Sequence, residues 1–321
     1  MKNLLQHQQD LVSKYLQMNF EARKLKDAYL SSPAYWLMTL RRGMSLNTEG
    51  KHSLLYGIHP NQNSTIVAPP SSPKQIKLLE NWHLQRQEKN QLVEIIRLDA
   101  HLISLWQKYA NLPYQIVEEK VLDWAFPSVT IDNNQLESCS GQKFKAFRNN
   151  IRYAQKNGCS IIPLNRENQT YLSGCVDLAK IWSKNQVKAQ RSPMNYEELL
   201  APYRYLLDHF FDLQIQGYCI LLKNKVVAFN LLDTSLQQAD TLVSLAFLAQ
   251  RPKKIEKDSE DTKNSFPRGI PSYCRYSLST ECKKKGYRFI SIGGSETGGL
   301  SHFKESLSTL PSLSLKTIRL L

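Results

Sequence analysis

The chain has 321 residues, 41% of them hydrophobic and 10% aromatic; that much apolar material excludes a wholly disordered protein, and the length suits two domains of about 150 residues each. Lysine and arginine number 42 against 28 aspartate and glutamate, a net charge of +14, which points to a polyanionic partner: nucleic acid, an anionic membrane surface or a phosphate-rich cofactor. No apolar run reaches the ~18 residues of a membrane span, and Met1–Asp10 (MKNLLQHQQD) lacks the apolar core of a secretory signal. The six cysteines are scattered, with no CxxC and no Cys/His ligand spacing. No metal, idle reduced thiols and a cytoplasmic location are therefore expected.

From the N-terminus, Leu4, Leu5, Leu11, Tyr15, Leu16, Leu25 and Tyr29 fall at helical spacing and predict a helix ending near Ser31-Ser32-Pro33. Residues 34–68 read as strands and turns, with the apolar runs SLLYGI (53–58) and STIVA (64–68) on either side of HPNQN. PPSSP (69–73) is a loop, 74–90 a polar helix, 92–98 a strand, 101–109 a helix and 111–131 extended chain. In KFKAFRNNIRYAQKNG (143–158), Phe144, Phe147, Ile151 and Ala154 share one helical face, and Gly158 is a natural stop. CSIIPL (159–164) is a strand, 170–187 and 195–213 are helices, and 217–233 is a hairpin turning at Lys223-Asn224-Lys225. A strand follows at 240–249, then 251–268, charged and apolar-poor, is expected to be mobile. A helix at 270–286, a strand in YRFISIGG (287–294) and a loop entering a last helix (295–307) complete the series.

Two groups stand out on chemistry alone. Residues 141–166 carry Lys143, Lys145, Arg148, Arg152, Lys156 and Arg166 and no acid. Arg148 and Arg152, at i and i+4, have the spacing and the forked donors to bind phosphate. Arg268-Gly269 precedes a helix, whose free N–H groups and partial positive charge suit an anion or a developing oxyanion. No G-x-G-x-x-G frame, phosphate-binding P-loop or G-x-S-x-G elbow is present. No cysteine has a base partner in sequence.

The order of elements from about 141 to 313 resembles the C-terminal acyl-transfer domain of phosphatidylglycerol lysyltransferases and its stand-alone relatives, and more widely the Fem-type aminoacyltransferases. The residues that carry the resemblance are Phe147-Arg148-Asn149-Asn150-Ile151-Arg152, Lys225-Val226-Val227-Ala228-Phe229, Arg268-Gly269-Ile270-Pro271 and Gly299-Leu300-Ser301-His302-Phe303-Lys304. The first half is similar only in rhythm. Where the lysyltransferase pattern has Asp-Leu-Gly and Gly-Leu-Arg, this chain has Gly294-Ser295-Glu296 and Gly299-Leu300-Ser301. The resemblance implies an α/β (α+β) fold of two tandem GNAT-like lobes, 1–140 and 141–321, with mixed central sheets flanked by helices.

It also implies a site. Ser295, Glu296 and Lys304 border the acyl-transfer cleft, with Lys304 holding a phosphate or polarising an ester carbonyl. Glu296 orients the attacking amine or takes its proton, with His302 as the other base. Asn230 and Tyr273 are further substrate contacts, and Arg148, Arg152, Arg268 and Gly269 hold the donor's phosphates. The expected activity is transfer of an amino acid from aminoacyl-tRNA, as co-substrate, to an amine or hydroxyl of a peptide, small molecule or lipid, with no cofactor required. An acyl-CoA-dependent N-acyltransferase is one alternative. A non-catalytic protein that binds tRNA or anionic lipid is the other, and peripheral contact with an anionic membrane would explain the same charge.

Overall fold

The computed structural model describes residues 2–19, 26–58, 64–85, 92–117, 126–190, 194–235, 240–250, 268–295 and 297–321. They form two six-stranded mixed sheets flanked by helices, the tandem-lobe α/β architecture that the resemblance implies. The first lobe contains α1 (Lys2–Met18), α2 (Pro33–Thr39), β1 (Ser45–Glu49), β2 (His52–Ile58), β3 (Ser64–Val67), α3 (Pro73–Leu84), β4 (Leu92–Leu98), α4 (Ala100–Tyr109) and β5 (Tyr114–Ile116). Its last strand is β12 (Lys316–Leu320), and the sheet order is β1-β2-β3-β4-β12-β5.

The second lobe begins at β6 (Thr130–Asp132) and α5 (Asn133–Ser138). It continues with α6 (Lys145–Lys156), β7 (Ser160–Leu164), α7 (Tyr171–Lys188), α8 (Tyr196–Asp208), β8 (Gln216–Leu222), β9 (Lys225–Asp233) and β10 (Thr241–Ala249). After these come α9 (Ile270–Lys284), β11 (Phe289–Ser291) and α10 (Gly298–Ser306), giving the order β6-β11-β10-β9-β8-β7. The sheets therefore do not divide the chain at residue 140. Thr130–Asp132 pairs with β11 of the second sheet, and Lys316–Leu320 returns to sit between β4 and β5 of the first.

Local chemistry accounts for most of these elements. On α6 the predicted face is buried (Phe144, Phe147, Ile151, Ala154) and packs on α9. The β8–β9 hairpin turns on Lys223 and Asn224, both at positive φ (50° and 62°), the geometry of a two-residue hairpin turn whose twist matches its strands. Residues 34–39, expected within the strands and turns of 34–68, are helical instead, as α2. Ser32 caps Tyr35 N at 3.1 Å and Pro33 stands at the helix start, a start signal stronger than the β-prone aromatics that follow. The expectation of a mobile loop concerns 251–267, which lie outside the described residues; Arg268 is described.

One apolar core crosses the seam between the lobes. It joins Trp36 and Leu37 of α2 and Leu40 just after it to Leu206 and Leu207 of α8 and Val243 and Leu245 of β10. A second core lies on the other face of the second sheet, under α5, α6 and α9.

Candidate functional site

The site is the fork where two parallel strands separate. β10 and β11 pair over Thr241–Val243 and Phe289–Ser291. β10 then runs on to Ala249, with a bulge between Ser244 and Ala246 against β9, while the chain beyond β11 bends toward the β6 side. There Ile292 N donates to Val129 O at 2.8 Å and Val129 N to Gly293 O at 3.2 Å. Such an opening at the carboxyl ends of parallel strands is where open α/β sheets bind ligands.

Tyr29 of the first lobe enters this fork. Its hydroxyl donates to Ser244 O at 2.7 Å, and a Cβ on Gly293 would lie 2.9 Å from that hydroxyl. Gly293, at φ +67°, is thus required both by its backbone and by the close approach of the tyrosine. Tyr29 is braced from behind: the Arg97 guanidinium stacks 4.3 Å from its ring centroid and holds Asp27 through two hydrogen bonds of 2.6 and 2.8 Å. Arg97 and Asp27 are both buried, and Arg97 adopts φ 59° where β4 and β12 slip register. Burial pulls the Arg97 pKa down, but the charge and hydrogen bonds of Asp27 together with Tyr35 and Tyr29 more than offset it and hold the guanidinium above its usual pKa. A second joint lies close by, where Asp233 at the end of β9 accepts from Ser32 Oγ at 2.6 Å and Ala34 N at 3.0 Å.

The interior wall of the fork is a polar network centred on Ser244. Its Oγ accepts from Asn230 Nδ2 at 3.0 Å and from Arg275 Nη1 at 3.4 Å. Arg275, on α9, is 2% exposed and lies 3.9 Å over the Phe247 ring. It has no carboxylate partner among the described residues, and burial lowers its pKa to about 10, so it stays cationic at neutral pH. Among the described residues, Arg275 Nε and Asn230 Oδ1 have no hydrogen-bond partner, and neither has the buried Ser295 Oγ. Orphaned buried polar atoms are uncommon in native proteins, and each calls for an explanation such as an ordered water, strain or a ligand.

The residues expected from sequence divide three ways. Asn230 is at the fork. Lys304 is next to it, buried, with its ammonium directed to the carbonyls of Ile292 (2.9 Å), Gly293 (3.4 Å) and Gly294; it fixes the bend beyond β11. Ser295 is fully buried and bridges to Phe126, whereas Glu296 lies outside the described residues. Tyr273 is a core residue under α6 and His302 is exposed on α10.

Gly269 is explained by packing. At φ +93° it caps α9 with Asn150 O so close that a Cβ would sit 2.2 Å away. A carbonyl oxygen therefore faces the helix start, and Pro271 removes one of its N–H groups. That disfavours an anion there, including the pyrophosphate of an acyl-CoA. Arg148 donates to Gly141 O at 2.9 Å and to Cys139 O, so it holds the loop before α6. Arg152 is exposed, and Arg268 stacks 5.0 Å over Tyr153. All six cysteines are buried, and burial raises the thiols, Cys219, Cys274 and Cys282 to about 12, so none is a ready nucleophile.

Tyr29 and Arg275 were not found by sequence reasoning. Tyr29 left no signal, being one more aromatic in an apolar stretch. Arg275 did: it stands in the stripe that carries Cys274, Leu278 and Cys282, and a charge in the apolar phase of a helix requires a reason.

The sequence profile described as phosphatidylglycerol lysyltransferase, C-terminal, matches residues 23–306. The chain belongs to this family. The match takes in the first lobe, including Tyr29 and Arg97, where sequence reasoning found only a similar rhythm. No curated protein sequence matches the chain.

Three solved structures have the same fold. A conserved protein of unknown function from Bacteroides thetaiotaomicron superposes with a TM-score of 0.70 at 15% identity, over 97% of each chain. The C-terminal domain of a putative lysylphosphatidylglycerol synthetase from Agrobacterium fabrum gives 0.59 at 12%, over 98% of this chain and 92% of that one. FemX gives 0.53 at 11%, over 99% and 96%. The two tandem lobes are GNAT-like. As a member of the phosphatidylglycerol lysyltransferase C-terminal family, the chain is an acyltransferase by family. No helix among the described residues is long and apolar enough to cross a membrane.

Proposed function

We propose that the protein moves an amino acid from aminoacyl-tRNA to an amine or hydroxyl of an acceptor, a peptide, small molecule or lipid, at the β10–β11 fork and without a cofactor. The acceptor's nitrogen or oxygen attacks the ester carbonyl carbon and the bond to the tRNA 3′-oxygen breaks. One proton passes from the acceptor to the departing oxygen, with Glu296 as the proposed carrier. Because the ester already supplies the driving force, the protein's work is to hold two reactants together and to stabilise the tetrahedral oxyanion. Lys304 acts as a positioning residue through the 292–294 carbonyls.

The observation that carries this reading is the outer face of α6. Lys145, Arg152 and Lys156 are exposed at i, i+7 and i+11, with Asn149 between them. Beside them Tyr153, 40% exposed, stacks under Arg268. A cationic stripe with an interleaved aromatic suits a phosphodiester backbone with an unstacked base. Arg268 begins the turn into α9, and Arg275 is seven residues further on, about 10 Å at 1.5 Å per residue. A tRNA end on the stripe therefore lies one short reach from the fork. The acyl-CoA alternative has less support, since the carbonyl of Asn150 faces the start of α9, where its pyrophosphate would sit.

The test is incubation with a mixture of charged tRNAs, and in parallel with acetyl- and longer acyl-CoA, in the presence of candidate acceptors, with consumption of each donor followed by mass spectrometry. Loss of the aminoacyl ester is expected. Consumption of acyl-CoA alone would overturn the reading.

A further inference from the structure

The fork contains one buried donor and one buried acceptor with no partner among the described residues: the Nε–H of Arg275 and the Oδ1 of Asn230. They belong to one network, because both side chains hydrogen-bond the same Ser244 Oγ. Phe247, opposite Asn230 in the β9–β10 register, covers the guanidinium, so the cation is held in an apolar setting with no carboxylate among the described residues to neutralise it.

We propose that this pair is the receptor for the α-aminoacyl group itself, an inference that rests on the aminoacyl-transfer reading and goes on to name the feature of the donor that is recognised. Arg275 donates to the ester carbonyl oxygen, where negative charge grows as the acceptor attacks. Asn230 accepts from the α-ammonium group of the same amino acid. An α-aminoacyl ester presents these two groups, an acceptor and a donor, on adjacent carbons. A plain acyl group has the carbonyl but nothing for Asn230 Oδ1. The site therefore selects aminoacyl over acyl donors by leaving a buried acceptor unpaired when the wrong one enters, the kind of discrimination that hydrogen-bonding sites achieve and apolar pockets do not. Entry to this wall requires Tyr29 to give up its place on Ser244 O.

The experiment measures binding, so no acceptor is needed. The probes are a tRNA pool charged with amino acids, the same pool carrying the corresponding desamino carboxylic acids, which have no donor on the α-carbon, and the uncharged pool. The wild-type chain is expected to hold the aminoacyl form about tenfold or more tighter than the desamino acyl form. Asn230→Leu should remove that preference without weakening the uncharged tRNA. Arg275→Met should lower the affinity for both esters while leaving the melting temperature unchanged or higher, because it replaces an uncompensated buried charge by an apolar chain of similar length. Equal affinity of the wild type for the two esters, or a preference that survives Asn230→Leu, would overturn the inference while leaving aminoacyl transfer intact. Failure of the wild type to distinguish any charged pool from the uncharged one would overturn both. A large drop in melting temperature for Arg275→Met would make that arginine a structural brace and overturn its part.

Discussion

Three buried cations behave differently because their partners differ. Arg97 has both oxygens of Asp27 and two aromatic faces, and removing the acid would leave an uncompensated charge in the core. Asp27→Ala should therefore lower stability by about 3–5 kcal/mol in urea denaturation, a loss typical of a broken buried pair. Lys304 has three carbonyl acceptors. Lys304→Met should cost about 1–3 kcal/mol through the acceptors it leaves bare, and amide exchange should rise first at 292–294. Arg275, weakly held at 3.4 Å by one hydroxyl, is the cation whose removal the fold should tolerate. A stability screen of the three methionine or alanine variants separates residues that hold the fork from the one proposed to bind the donor there.

At the scale of elements, the turn of the β8–β9 hairpin is open to improvement. Lys223 and Asn224 both sit in the left-handed region, which Asn and Gly adopt more readily than Lys. Lys223→Asn combined with Asn224→Gly should add about 0.5–1 kcal/mol to the unfolding free energy and so raise the urea midpoint; an unchanged or lower midpoint would mean the turn is not under strain. On α6, Arg152→Glu with Lys156→Glu should weaken tRNA binding. It should also flatten the dependence of log affinity on log salt by roughly 0.7–0.9 per lost phosphate contact. The same change at Arg148 should instead affect stability, since its guanidinium is bonded to the Gly141 and Cys139 carbonyls.

Elements with their own periodicity or turn chemistry were legible in the sequence: α6, the β8–β9 hairpin, α7, α8 and α9 all lie where predicted. What escaped was set by distant partners. β12 is five residues of ordinary strand whose neighbours, β4 and β5, are more than 190 positions away, and nothing local announces that pairing. α5 is only six residues long and depends on the Asp132 cap and its packing on α9. The site was half legible for the same reason. Asn230 and Lys304 stand in recognisable motifs, whereas Tyr29 gains its role only by meeting Ser244, 215 positions further along.

For the whole molecule, the seam between the lobes is part of the core. Besides the shared apolar cluster, Gln9 Nε2 donates to Asp212 O at 3.1 Å and Tyr205 OH to Gln8 Oε1 at 3.3 Å. The lobes should therefore move as one body, unlike domains joined by a small polar interface. Truncation after residue 313 should unfold the first lobe and not merely trim it. The cut would leave β5 without its strand partner, strip one side of β4 and remove Arg319, which bonds Glu94 at 2.7 Å. Far-ultraviolet circular dichroism and limited proteolysis of the truncated chain check this; a resistant, native-like first lobe would refute it.

The returning strand also sets the order in which the molecule can be made. During synthesis the first lobe emerges first, yet its sheet has a gap between β4 and β5 until Lys316–Leu320 leave the ribosome. The second sheet needs nothing beyond Ser291. The part translated later can thus complete its sheet earlier, reversing the usual N-terminal-first sequence. Tyr29 can be locked into the fork only by a lobe that closes last.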